Sequence, residues 1–136
     1  MPLLADKTIT VRNLRYDPKT DTEAEITTRL EGCSVHAKTV ANATADGLAA
    51  ASLAQIRIFA GHTLAATQSA SEAPIPADDK FLAPAAWAAQ SAAAAADTWT
   101  LRPGDHIEYQ GQRMTILAVH DNRGARRNPH WYVEAH

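Results

Sequence analysis

Cys33, Ser34 and His36 put a thiol, a hydroxyl and an imidazole in one short run, the raw material of a nucleophile and its base. Covalent catalysis needs those groups within hydrogen-bond reach of each other. The run alternates as a strand does, and an odd spacing turns Cys33 and His36 to opposite faces. Cys33 therefore reads as a buried structural cysteine, since a free cysteine behaves as a small hydrophobe. His120, His130 and His136, with Asp121, offer metal-ligating atoms if the last two strands pair. They lack the short fixed spacings of zinc sites, and scattered surface histidines account for them as well. Asp78 and Asp79 are adjacent in a polar stretch, so they do not face each other across a cleft as a hydrolytic carboxylate pair does. Gly104 and Gly111 fall in turns rather than ahead of a helix, which leaves no phosphate-cradling loop. No catalytic residue, metal site or cofactor is expected, and an enzyme is the least supported class.

The densest polar cluster is Arg123, Arg126 and Arg127, in a loop opened by Asp121 and Asn122 and loosened by Gly124. Guanidinium groups so placed pair with carboxylates of a neighbouring subunit or with phosphate oxygens, or else simply make a solvated basic loop. The formal net charge is −2, which gives no general drive toward nucleic acid or acidic lipid. Subunit contact is thus favoured over nucleic acid. Charge is also divided along the chain: the end is basic, whereas Glu72, Asp78, Asp79 and Asp97 mark an acidic middle. Such polarity suits a molecule that stacks against others.

The elements that must position these groups are mostly strands. Thr8-Ile9-Thr10-Val11 alternates with β-branched residues, and Glu25 to Leu30 alternates again before Gly32 interrupts. These last residues and Cys33 to His36 read as neighbouring strands or one bulged strand. Residues 17–21 are turn chemistry. Residues 38–50 are small and polar and read as a loop turning at Asp46-Gly47, and 52–60 as a strand with Leu53, Ile56, Ile58 and Phe59 toward the core. Residues 61–79 mix Ala, Ser, Thr and Pro with almost no large apolar side chain, which predicts a long mobile loop. Residues 84–96 predict one alanine-rich helix, started by Pro84 and anchored by Trp87.

Beyond Trp99 the signal is dense. Arg102-Pro103-Gly104-Asp105 suits a type II turn. His106 to Tyr109 and Arg113 to Val119 read as a hairpin about Gln110-Gly111-Gln112, with Ile107, Tyr109, Met114, Ile116 and Ala118 as inward candidates. His130 to Glu134 is the closing strand. Trp99 and Trp131, with Tyr109, Ile107 and Ile116, are the predicted core anchors, and Trp87 fixes the helix and is also an interface candidate. Short antiparallel strands with one inserted helix predict a mainly β chain, a small antiparallel β-barrel or sandwich, in a single domain over 1–136. No run approaches a membrane span, no leader is apparent, and one cysteine allows no internal disulfide.

The region 99–136 resembles small tailed-bacteriophage minor capsid and head–tail connector proteins of the head-closure, or stopper, group. The residues that carry the likeness are Ile107-Glu108-Tyr109-Gln110-Gly111-Gln112-Arg113 followed by Ile116-Leu117-Ala118-Val119-His120-Asp121. Trp99-Thr100-Leu101, Pro129-His130-Trp131 and the earlier Pro84 and Trp87 add to it. The alanine richness of the helix departs from the group. The resemblance implies a homo-oligomeric ring, usually a hexamer, in the neck of the virion. Portal and adaptor proteins would lie above it, and tail-tube or tail-terminator proteins below, with genomic DNA in the channel. It implies synthesis in the host cytoplasm, and a long loop reaching the channel, for which 61–79 with Glu72, Asp78 and Asp79 is the candidate. A tail-terminator ring protein is the alternative in the same setting. From another class, a small β-barrel nucleic-acid-binding module would need aromatics among basic residues, and only Tyr109 beside Arg113 and Trp131 near Arg127 offer that.

Overall fold

The alternating run at Thr8 to Val11 grows into strand β1 (Lys7–Asp17), with Ile9, Val11 and Asn13 pointing inward. The computed structural model describes residues 5–44, 47–67 and 74–136. A turn over 18–21 hands the chain to β2 (Thr22–Thr44), and there Asp17 accepts from the Lys19 amide and Asp21 from the Tyr16 hydroxyl. Strand β3 (Gly47–Phe59) returns along β2, and β4 (Leu64–Thr67) and β5 (Ile75–Pro76) follow. A 3-10 turn (Ala77–Asp79), α1 (Pro84–Ala88) and α2 (Ala92–Ala95) lead to β6 (His106–Tyr109), β7 (Gln112–Asn122) and β8 (His130–Ala135).

All of these strand pairings are antiparallel. The order β1-β6-β7-β8-β3-β2 closes back on β1 to make a six-stranded barrel, and β4 and β5 extend the sheet from β2. The expected mainly β barrel is therefore present. Its interior holds Ile9, Val11, Leu30, Cys33, Ile56, Ile58, Leu101, Ile107, Ile116, Val133, Trp99 and Trp131. Tyr109 packs at the margin of this core. A bulge between Ile116 and Ala118 leaves Leu117 outside, so the next residue of β7 to pack inward is Val119 rather than Ala118.

Gly32 explains how one strand serves two partners. It is the extra residue where Lys7 faces Cys33 but Thr8 faces Glu31, and its φ of 89° is one that side chains disfavour. Before this bulge β2 pairs with β1 and β4. After it, β2 pairs with β3. Cys33 to His36 is thus one bulged strand with Glu25 to Leu30.

Three expectations are corrected. Residues 38–44 and 47–50 are not a loop but continue the β2–β3 ladder, because small residues with β-branched Thr39 and Val40 accept extended backbone as readily as a turn. The stretch 61–79 is not one long mobile loop. Its described parts are tied down by the pairing of β4 with β2, by β5 on β4, and by the Asp78 carboxylate accepting from the Gly61 amide at 3.1 Å. The single helix over 84–96 is two short ones. Ser91 takes extended backbone and its hydroxyl caps α2 by accepting from the Ala94 amide, while Arg15 binds the carbonyls of Trp87 and Gln90 at the end of α1.

Candidate assembly surface

Two places on the barrel are candidates for contact with other molecules. The first is built on an aromatic plug. Phe81, Trp99 and Trp131 meet edge-on or tilted, with ring centroids 4.7–5.2 Å apart. Trp99 is fixed there because its Nε1 donates to the Ala77 carbonyl at 2.9 Å and its backbone bonds Lys80 and Leu82. Lys80 in turn holds Asp97 at 2.8 Å.

Arg123 lies across this plug, its guanidinium carbon 4.9 Å from the Phe81 ring centre and 4.7 Å from that of Trp131. Asp121 orients it with two hydrogen bonds of 2.9 and 2.7 Å, and also accepts from the Arg123 amide. The bond from Arg123 holds the Asp121 carboxyl below its ordinary pKa, against a weaker opposing effect of burial. The bond from Asp121 raises Arg123, against its own burial, and the charges of Asp121 and then Asp78 add to the rise. Arg123 is therefore a lid on the core rather than a free cation. The loop then folds through a left-handed Asn128 and is tied back where the Ala60 amide donates to the Pro129 carbonyl.

Of the predicted interface residues, Arg126 and Arg127 are exposed and have no hydrogen-bond or ion-pair partner among the described residues. Trp87 is not at the surface. It is fully buried against Ile26, Leu82 and Ala95, with Arg102 and Arg15 stacked at 5.0 and 5.8 Å, so it serves α1 and not a neighbour. Asp78 and Asp79 are exposed beside the plug, with Asp78 engaged by Gly61. Glu72 lies outside the described residues. Cys33 is buried, and burial pushes its thiol up to about 12, so it carries no nucleophile, while His36 is exposed. Among the described residues no three His, Cys, Asp or Glu side chains converge as a metal site would require. His120 instead packs near Tyr132 and His130 bonds the Asn128 carbonyl.

The second place is a ribbon. Pairing of β2 with β1 ends at Cys33, and pairing of β3 with β8 begins at Ala54. Among the described residues, 38–44 and 47–53 therefore pair only with each other. At the ribbon's base an open recess of about 290 Å³ lies among Val35, Leu53, Ala54, Tyr109, Met114 and His136.

Two polar assemblies had no signal in the sequence. Buried Asn13 donates to the Thr100 carbonyl and to Asp105, each at 2.9 Å, and Arg102 clamps Asp105 from the other side. On the outside, Arg12 bridges Glu25 and Glu108, and Arg113 also reaches Glu25. Each joins residues far apart in the chain, which periodicity does not reveal.

A model for a family of unknown function, DUF6751, matches residues 4–136. No curated protein matches the chain.

Proposed function

Because the chain belongs to DUF6751, a family of unknown function, we propose its role from the resemblance of residues 99–136 to head-closure proteins together with its own geometry: a structural protein of the tailed-phage neck, a head-closure ring subunit joining portal and adaptor to tail. The observation that carries this reading is a closed barrel from which one long hairpin runs on beyond its last pairing with the other described strands. Barrel closure removes most sheet edges and gives a body that can tile beside copies of itself. The hairpin supplies reach. It takes over the part that the sequence suggested for 61–79, most of whose described residues are stitched to the barrel. Arg126 and Arg127, without partners among the described residues, are exposed and free to meet carboxylates of a neighbouring subunit.

The virion neck is the corresponding location, with synthesis in the host cytoplasm and the phage genome passing through the ring. A tail-terminator ring would use the same geometry. A nucleic-acid-binding barrel is disfavoured because Trp131 is fully buried beneath Arg123, which removes it as a stacking platform, and Arg113 is paired with Glu25.

The test is negative-stain imaging with mass measurement of the purified chain, alone and mixed with tailless phage heads. Rings, or new density at the portal vertex, are expected. A chain that stays monomeric, ignores heads and shifts on single-stranded oligonucleotide would overturn the reading in favour of the binding module.

A further inference from the structure

Backbone donors and acceptors line the outer edges of the ribbon, and no strand among the described residues takes them up. Residues 38–44 of β2 and 47–53 of β3 bond across to each other, and among the described residues to no third strand. A lone two-stranded ribbon is at best marginally stable in water, and a third strand is the usual remedy. Elsewhere the molecule guards its edge. The open end of the sheet is β5, only two residues long, with Pro76 in it and Pro74 before it. Brevity and proline both deny pairing to another chain. The ribbon has neither protection. Between Ser34 and Leu53 there is no proline, and the only charged residues are Lys38 and Asp46.

We propose that the ribbon pairs with the ribbons of neighbouring copies of this chain, the outer edge of β3 in one copy laddering onto the outer edge of β2 in the next. Direction argues for a second copy as the occupant. β2 and β3 are antiparallel, so copies related by rotation about an axis along the ribbons bring β3 of one against β2 of the next, again antiparallel. Repetition about that axis closes the ladder and leaves no free edge. A single strand from a different protein would cover one edge and leave the other open. The inference deepens the ring reading and rests on it for the arrangement of the copies, but it names the contact, which that reading does not.

The experiment compares the full chain with a trimmed one in which residues 41–50 are replaced by Asn-Gly. Val40 and Ala51 face each other in register, at the same ladder parity as Thr44 and Gly47, so a two-residue turn can join them, and all of β3 that pairs with β8 is kept. Oligomer mass is measured in solution and on tailless heads. Backbone amide exchange over 34–44 and 47–53 is measured in the dilute monomer and in the assembled ring. Rings of the full chain are expected, with amides along the ribbon edges exchanging at least about tenfold more slowly in the ring, as newly bonded sheet amides do. The trimmed chain is expected to stay monomeric, with circular dichroism like that of the full chain. If both chains form rings, or if the ribbon amides exchange as fast in the ring as in the monomer, this inference fails and the ring reading survives. If the full chain never assembles, in solution or on heads, both fail. Should the trimmed chain not fold, the exchange measured on the full chain still decides.

Discussion

Arg123 illustrates what a single side chain contributes at this barrel. Its charge is already matched by Asp121 and its flat face is already laid on Phe81 and Trp131. Replacing it with alanine should therefore destabilise the fold by about 1 kcal/mol, the range for partly exposed cation–π contacts. Urea unfolding followed by tryptophan emission reads both the stability and the changed surroundings of Trp131. Arg126→Ala should leave that midpoint unmoved while weakening ring formation, since its guanidinium touches no described partner. Cys33 gives a third expectation: with its thiol held near 12, an aromatic disulfide reagent at pH 8 should label it only after denaturant is added. Labelling of the native protein at the rate of a free thiol would contradict this burial. Trp99 and Trp131 were legible as core because large aromatics are few in this chain and sit where strands begin or end. Arg123 was legible only as a charge. Its ring partner Phe81 is supplied by a distant segment, and no local pattern announces a guanidinium lying on an aromatic.

At the scale of elements, the hairpin from β6 to β7 was the easiest to read. Gln110 and Gly111, at φ 50° and 78°, form the two-residue turn with both residues left-handed that strand twist favours, and glycine marks it in the sequence. The alanine run predicts too long a helix because it is helix-permissive at every position, whereas the break is imposed by Ser91 and by Arg15 from β1. Gly32 was visible as an interruption, but its role depends on β1 and β3 both being present. Gly32→Ala meets only ordinary contacts, the nearest atom lying 3.6 Å from the added carbon. Its cost is thus the left-handed backbone, about 1–2 kcal/mol, seen as a lower thermal midpoint. The ion pairs that join β1, β2, β6 and β7 predict the acid limb of stability. Burial alone would raise the Glu25 carboxyl, but the hydrogen bonds and charges of Arg12 and Arg113 outweigh it and hold it below its ordinary value. The resulting stability is complete above about pH 4.3 and is lost as pH falls through the lower folded value. Glu25→Gln should flatten that decline in urea midpoints measured between neutral and acidic pH. An unchanged slope would show that the pairs are silent.

Across the whole molecule, the aromatic plug and the barrel interior are one core, so a large loss in either is felt as global unfolding. Trp99→Ala removes a fully buried ring, its bond to Ala77 and its contacts with Phe81 and Trp131. The expected cost is about 3–5 kcal/mol, comparable to the whole stability of a marginal domain. Loss of the cooperative thermal transition checks it. The ribbon is a different matter, because it continues two barrel strands, β2 and β3, beyond their last pairing with β1 and β8. β2 runs unbroken for 23 residues, roughly 75 Å if straight, from the turn beside β1 to the far end of the ribbon. A pull on the ribbon along its axis is therefore carried by two covalent strands, one of which, β2, leads into the β1–β2 ladder. There it loads the ladder in shear, so that its bonds must yield together and cannot be peeled one after another. Gly32, the left-handed bulge between the two ladders, is the point on that line where the backbone can change direction without breaking either of them.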